Sequence, residues 1–395
     1  MAMRIGRTLP PAATPLGFKE ILNGLCAALR GERAVAQFTE ELRGYYGVRH
    51  CFPVSSGKGA LCLILRALKR LAPERDEVLI PAYTCYSVPS AVVRAGLKVR
   101  LCDLSPGSLD FPPELLAEEL DNPRLLCVIP THLYGVPADV RGVKRLIGGR
   151  PVGLVEDAAQ AMGAVRNGAK MGTSGDVGFF SLGRGKALTT VEGGVILTND
   201  PGIGAAIARE MATLHGSRWW DSLRLFLYAL ALKLLIHPRL FWLPKSLPFL
   251  RLGETVFDPT FPIRKMSPFQ AGLARGWQAR LTALQGPRAE NAGRLVASGI
   301  VPAGGAAPPL PALIRFPVLV ADTATKRRIL KMAEEKGLGI SDGYPDTVAG
   351  IAELRGRLGG GPFPGAKEIV DRLITLPIHR YVTAGDIRRI AALLG

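Results

Sequence analysis

The sequence predicts an α/β protein: a mostly parallel central sheet wrapped by helices over residues 1–275, followed by a smaller α+β domain over 276–395. Three observations predict it. Short apolar runs alternate with amphipathic stretches from about residue 55 to 200, the encoding of strands covered by helices. Several of those runs lack polar alternation, as strands buried on both faces do. A Pro/Gly-rich break at 301–311 then separates this pattern from a different one.

Taken in order, the predicted strands are 77–80, 99–102, 125–129, 153–155, 177–180 and 195–198. A helix over 61–70 is opened by the small-residue turn Ser55-Ser56-Gly57. Beyond the break come a strand near 313–320, a helix from about 324 to 336, a strand near 373–376 and a last helix after Thr383. Thr383 followed three residues later by Asp386 has the form of a capping box. No internal repeat is present.

The composition, 48% hydrophobic and 21% charged over 395 residues, is that of a folded enzyme-sized chain and excludes disorder as the default. Fifty Lys and Arg against 33 Asp and Glu give a net charge of +17, a field that favours anionic partners such as nucleotide diphosphates, phosphate cofactors or acidic lipid. Nucleic acid is disfavoured, because no finger spacing, aromatic RNA-binding signature or basic arm accompanies the charge. The six cysteines all fall in the first third without a CxxC pair or preceding signal peptide. They read as small buried side chains in a reducing cytoplasm, with no metal implied.

Between Trp219 and Leu250 lies a segment dense in Leu, Phe and Trp that also carries Arg224, Lys233, Arg239 and Lys245. Lys233 and the prolines at 238, 244 and 248 leave it short of the roughly 20 apolar residues that a bilayer span requires. Three readings stay open: a dimer-interface insertion, a basic amphipathic element lying on the inner face of a membrane, or a substrate lid.

The chemistry is concentrated between residues 153 and 200. Asp157 falls at the carboxyl end of one apolar strand, Ser181 ends the next, and Lys186 follows five residues later in a Gly-rich turn. Open α/β sheets bind ligands at the carboxyl ends of their strands, so these three side chains converge on one crevice. A cofactor that acts as an electron sink needs a lysine for a Schiff base and a carboxylate to keep its pyridine nitrogen protonated; Lys186 and Asp157 supply both. A lysine with a lowered pKa is also the natural proton carrier. Residues 55–59, turning into a helix, offer unpaired N–H groups to a phosphate, and Ser181 adds a hydroxyl. The GRGK string at 183–186 lacks the spacing of a nucleotide-binding P-loop.

With these residues in place, the chain resembles the DegT/DnrJ/StrS family of pyridoxal-phosphate sugar aminotransferases. The likeness is carried by the blocks VSSGKGAL (54–61), EVLIPAYTCYSVPSAVVRAGLKVRLCDL (77–104), PTHLYGVPADV (130–140), EDAAQAMGA (156–164), GDVGFFSLGRGKALTTVEGGVILTND (175–200), KMSPFQAGL (265–273) and LPIHRYVT (376–383). The resemblance implies the type I aminotransferase fold, pyridoxal 5'-phosphate as cofactor and a homodimer with active sites at the interface. It also implies transfer of an amino group from glutamate to the keto group of a nucleotide-linked sugar in polysaccharide biosynthesis. By position, Lys186 is the imine lysine, Asp157 the pyridinium partner, Gln160 a neighbour of the ring, Ser181 a phosphate ligand, and Gly57 with Lys58 the rest of the phosphate cradle. A related sugar 3-dehydratase chemistry has His where Lys186 stands, so lysine favours transamination.

This chain departs from the family pattern at several places. Lys58 replaces a threonine. Cys85 occupies the position of a ring-stacking aromatic, with Tyr86 adjacent and Tyr83 near. Met162 stands for a histidine, and Ile263 for an asparagine that reaches the neighbouring subunit's cofactor. His132, His215, Asp342 and Tyr344 are candidates for touching substrate; for His132 and His215, as for His379, a purely positional role competes. Two other functions remain in view: an aminotransferase for a lipid-linked or membrane-associated carbonyl, and a non-catalytic regulatory or binding protein on the same scaffold.

Overall fold

In a computed structural model the described residues are 5–247, 255–305, 310–356, 358 and 361–395. Parts of two stretches singled out in the sequence, 248–250 and 306–309, lie outside them. Helices α1 (Phe18–Arg30) and α2 (Glu32–Tyr46) lead into β1 (His50–Val54), α3 (Gly57–Leu71), β2 (Glu77–Pro81), α4 (Ser87–Arg94), β3 (Lys98–Cys102), α5 (Pro113–Leu120), β4 (Leu125–Val128), α6 (Val140–Ile147) and β5 (Gly153–Asp157). A hairpin of β6 (Val165–Arg166) and β7 (Ala169–Lys170) precedes β8 (Val177–Ser181), β9 (Gly194–Thr198), α7 (Pro201–Ala212), α8 (Trp219–Leu235) and α9 (Trp242–Lys245). The chain continues through α10 (Pro268–Leu273), α11 (Trp277–Ala297), β10 (Phe316–Leu319), α12 (Thr323–Lys336), β11 (Ser341–Asp342), α13 (Pro364–Arg372), β12 (Leu373–Leu376) and α14 (Ala384–Leu394).

Seven strands form the central sheet in the order β1-β9-β8-β5-β4-β2-β3. β3, β2, β4, β5 and β8 run parallel, whereas β9 and β1 pair antiparallel at one edge. This is the mostly parallel, helix-covered sheet that the sequence predicts, and every predicted strand is present. The short polar ends of each run explain the close boundaries: β5 is buried from Leu154 to Asp157 and stops where Ala158 and Ala159 begin a turn. β1, which the sequence pattern does not announce, contains Pro53, a residue tolerated in a sheet only at an edge such as this one.

α3 is apolar nearly all round, and its buried Leu61, Leu63, Ile64 and Leu65 pack it into the core beneath the sheet. Its start is fixed by Ser56, whose Oγ accepts the Gly59 N–H at 3.0 Å. The C-terminal region builds a three-stranded antiparallel sheet, β10-β12-β11, flanked by α12, α13 and α14. The capping box at α14 is present as expected: the Asp386 N–H donates to Thr383 Oγ1 at 3.2 Å, and the Thr383 N–H donates to Asp386 Oδ2 at 2.9 Å. One apolar cluster joins the two sheets, running from Leu61 and Ile80 to Phe316, Ile374 and Leu376.

Candidate active site

Because β5 and β8 lie side by side, with Asp157 opposite Phe179, their carboxyl ends deliver Asp157 and Ser181 to the same edge of the sheet. The loop after β8 turns back toward β9 and carries Lys186. Facing it is the amino end of α3. Between them lies a cleft of about 380 Å³, lined among others by Gly57, Lys58, Cys85, Asp157, Gln160, Ser181 and Lys186. A small ligand of drug size fits such a volume.

Each wall has a physical reason for its residues. A Cβ added to Gly57 would stand 2.7 Å from Ser181 Cβ, so only glycine lets α3 start this close to the end of β8. The amides of Gly57 and Lys58 have no partner among the described residues, and with the helix dipole they favour an anion at that point. Ser181 Oγ accepts the Gly183 N–H at 3.3 Å, leaving its proton for the cleft. The Lys58 ammonium is engaged at the rim, 3.3 Å from Asp258 Oδ2 and 4.6 Å from the centroid of the Phe261 ring. Lys58 therefore contributes its amide to the cradle, while its charge is shared with Asp258.

Asp157 is buried, and its Oδ1 accepts the Ala159 N–H at 2.9 Å. Burial pushes its carboxyl pKa above the usual range, against the opposing pull of that N–H and of the Lys186 charge. Lys186 has no hydrogen-bond or ion-pair partner for its ammonium among the described residues. Burial pushes its pKa down, countered by Cys85 and Asp157 and reinforced by the charge of Arg315. Both groups line the same cleft, and burial acts on each against its charged form, the kind of perturbation that clusters at functional sites. The lysine's backbone is anchored separately: Thr14 Oγ1 donates to its carbonyl at 2.5 Å, and buried Arg288 donates to it at 3.3 Å and to the Ala187 carbonyl at 3.1 Å. Nothing local in the sequence marks Thr14 or Arg288 as supports of that loop.

Gln160 is held at both ends of its amide. Oε1 accepts the Tyr134 N–H at 3.0 Å, and Nε2 donates to Tyr344 Oη at 2.9 Å. Tyr344 is buried behind the cleft, and its own N–H donates to Tyr83 Oη at 2.8 Å. Cys85 faces the cleft directly. Tyr86 does not, because its hydroxyl turns away to the Asp346 carbonyl at 3.2 Å.

Three of the other candidates stand apart from this cleft. His132 is fully buried with both ring nitrogens used: Nδ1 accepts the Ala138 N–H, and Nε2–H donates to Glu156 Oε1, each at 2.9 Å. That saturation gives it a structural task, locking the end of β4 to β5. His215 is exposed after α7, and Asp342 is exposed on β11 with its carboxylate 2.6 Å from Lys326 Nζ. His379 is likewise buried, donating from Nε2 to the Pro10 carbonyl at 2.8 Å. Met162 packs in the core with Phe180, and Ile263 lies near the first turn of α3. Arg184, Glu192 and Thr131 also line the cleft, although no motif announces them. Among the described residues, no group of three His, Cys, Asp or Glu is placed to hold a metal ion.

The model of the DegT/DnrJ/EryC1/StrS aminotransferase family matches residues 18–226. A stretch of 184 residues is 36% identical to an L-glutamine:2-deoxy-scyllo-inosose aminotransferase of Streptomyces kanamyceticus, covering 47% of this chain and 42% of that protein. A stretch of 185 residues is 35% identical to a UDP-N-acetyl-3-dehydro-alpha-D-glucosamine 3-aminotransferase of Acidithiobacillus ferrooxidans, covering 46% of this chain and 48% of the relative. The chain thus aligns with under half the length of either. Over 98% of both chains, the fold is similar to that of Helicobacter pylori PseC, an aminotransferase involved in the biosynthesis of pseudoaminic acid, with a TM-score of 0.77 at 16% identity.

Proposed function

Since the chain belongs to the DegT/DnrJ/EryC1/StrS aminotransferase family, we propose that it moves an amino group from glutamate to the keto carbon of a nucleotide-linked sugar, releasing the 2-oxo acid of the donor. The observation that carries this reading is the shared cleft of Lys186 and Asp157, closed on its third side by the free amides of Gly57 and Lys58. The residues fit pyridoxal 5'-phosphate: the volume suits its ring, the close approach at Gly57 suits its phosphate, and the buried carboxylate suits its pyridine nitrogen. When bound, the cofactor supplies an electron sink for a carbanion and a carbonyl that accepts the amino group.

The protein's own residues divide the remaining work. Lys186 would hold the cofactor covalently and, once freed from it, would carry a proton at Nζ, a role eased by the burial that pushes its pKa down. Asp157 would face the pyridine nitrogen and favour its protonated form. Gly57 and Lys58 bind phosphate through their amides, and Ser181 binds it through its hydroxyl. Gln160, fixed by Tyr134 and Tyr344, and Cys85 line the cleft and would border the ring. We assign 1–275 to cofactor binding and 276–395 to a smaller domain that approaches the pocket through Tyr344, in a homodimer of the kind the family resemblance implies.

The test is a pair of half-reactions. Purified protein is mixed with glutamate, and the loss of aldehyde absorbance is followed; the amine form is then mixed with a panel of nucleotide keto sugars, and the return of the aldehyde is followed. A protein whose absorbance responds to no amino donor would refute the reading.

A further inference from the structure

Lys186 sits in a loop with little of its own to hold it. The chain ahead of it runs Gly183-Arg184-Gly185, and Gly185 takes a left-handed φ of +74°. The Lys186 N–H donates to the Gly183 carbonyl at a long 3.3 Å. Backbone next to two glycines keeps its freedom unless contacts from outside the loop remove it. A side chain that must reach a ligand and then move a proton needs its backbone held to within about 0.5 Å.

That restraint comes from two buried residues distant in sequence. Arg288, on α11, donates from Nη1 to the Ala187 carbonyl at 3.1 Å. Its Nη2 reaches the Lys186 and Ala13 carbonyls, each at 3.3 Å, and Thr14 Oγ1 at 3.0 Å. The Thr14 hydroxyl passes its own proton to the Lys186 carbonyl at 2.5 Å, so that one carbonyl oxygen receives two donors. No carboxylate among the described residues answers the Arg288 charge, and burial pushes its pKa down to about 10. A guanidinium buried without a counter-ion is costly, and an apolar side chain would fill the same space at less cost. What the guanidinium adds is a rigid fork that fixes the lysine loop and the Thr14 segment at once.

Both supports are themselves fixed, and by the same part of the protein. Ahead of Thr14, the Leu9 N–H donates to the Gly337 carbonyl at 2.9 Å, and the Pro10 carbonyl accepts from His379 Nε2 at 2.8 Å. Arg7 Nη2 pairs with Asp386 Oδ2 at 2.7 Å. One turn beyond Arg288 on α11, Asn291 Nδ2 donates to the Ile378 carbonyl at 3.2 Å. The N-terminal segment and α11 therefore run from the C-terminal domain to a single point, the Lys186 carbonyl.

We propose that Arg288 and Thr14 are positioning residues for Lys186, clamping its backbone so that Nζ is presented to the cleft, and that they act on capture of the cofactor by the lysine rather than on binding of its ring and phosphate. The proposal rests on the reading of Lys186 as the residue that holds the cofactor. The separation of the two effects follows from the geometry. The phosphate cradle is built from the first turn of α3 and the end of β8, and neither Arg288 nor Thr14 makes a hydrogen bond to those residues.

The full-length protein, stripped of cofactor, is the material for the test. It is mixed with pyridoxal 5'-phosphate, and the adduct on Lys186 is trapped over time with borohydride and counted by peptide mass. In parallel, 4'-deoxypyridoxine 5'-phosphate, which has the ring and phosphate but no aldehyde, reports non-covalent affinity. Thr14→Val and Arg288→Met are each expected to slow trapping by roughly tenfold or more while analogue affinity stays within about twofold. Arg288→Lys, which restores a donor to the carbonyls, should recover part of the rate. Leu116→Ala, in a separate apolar cluster with Val140 and Val143, should lower stability to denaturant and leave both readouts unchanged. If Arg288→Met does not fold, Thr14→Val, which removes one hydroxyl at nearly constant volume, decides the question. Trapping at the parent rate in the variants overturns the proposal. A parallel fall in trapping and analogue affinity, or equal slowing by Leu116→Ala, overturns it too, since a purely structural role would do the same. A parent protein that forms no adduct on Lys186 overturns the cofactor reading and this proposal with it, whereas an adduct in the parent with unaltered variants overturns this proposal alone.

Discussion

Gly57 and Ser181 approach so closely that a methyl group on the former would meet the Cβ of the latter at 2.7 Å and its Oγ at 2.9 Å. Neither neighbour yields easily, because Ser181 is the last residue of a central strand and Gly57 the first of a packed helix. Gly57→Ala is thus predicted to push α3 away from β8 and spoil the anion cradle. An overpacking cost on the order of 1–2 kcal/mol corresponds to a loss of cofactor affinity of roughly tenfold or more. Titration of the cofactor-free protein, followed by absorbance, measures it; unchanged affinity would place the phosphate elsewhere.

Asp157→Asn keeps the acceptor for the Ala159 N–H and nearly the same volume, so the fold should persist. What it removes is the charge that holds a pyridine nitrogen protonated. The half-reaction with glutamate is expected to slow by roughly 100-fold or more, in the range seen for loss of a positioned acid or base. Cofactor should still bind. A variant with near-normal rate would leave Asp157 as a strand-end residue and no more.

How much of this arrangement was legible beforehand follows from the range of each signal. The run ending in Asp157 and the five-residue step from Ser181 to Lys186 are local, and strand periodicity is enough to bring them to one sheet edge. The anchors of Lys186 are not local. Thr14 and Arg288 reach the same carbonyl from sequence distances of 172 and 102 residues, and neither sits in a recognisable pattern. The pairing of Gln160 with Tyr344 spans 184 residues and links the central sheet to the C-terminal one. His132 shows the opposite case. A histidine beside a predicted site invites a catalytic reading, yet its two nitrogens are consumed by Glu156 and Ala138. Periodicity also fails on α8, where an apolar residue stands on nearly every face and no stripe can be told from its surroundings.

Glu156 organises the turn that follows the β6–β7 hairpin. Its carboxylate accepts the His132 Nε2–H at 2.9 Å and the amides of Gly172, Ser174 and Gly175 at 2.7, 2.6 and 3.1 Å. Burial raises its pKa, but these donors outweigh that effect and hold it below the usual carboxylate range. Glu156→Gln would turn an amide NH2 toward N–H groups that need an acceptor. A loss of about 3 kcal/mol in unfolding free energy is expected from disrupting such a buried charged network. Chemical denaturation checks it, and a loss below about 1 kcal/mol would mean that water replaces the carboxylate.

His379 gives the stability of the protein a pH dependence whose sign can be worked out. The ring is 1% exposed; it donates from Nε2 to the Pro10 carbonyl at 2.8 Å and accepts the Tyr381 N–H at Nδ1, so the neutral form uses both nitrogens. Burial, first among the causes, pushes its pKa down to about 4. In the unfolded chain a histidine takes up its proton near pH 6.5. Between those values the unfolded state holds the extra proton, so folding weakens as pH falls through the window, by at most about 3 kcal/mol in all. Above pH 6.5 the group contributes no slope. His379→Gln removes the titration while retaining an amide that can serve Pro10. The stability advantage of the parent protein over this variant should therefore be greatest at pH 7 and shrink toward pH 4.5, where other carboxylates titrate equally in both. Parallel urea denaturations at the two pH values measure the difference, and an advantage that stays constant would show that the ring is charged in the folded protein or reached by water.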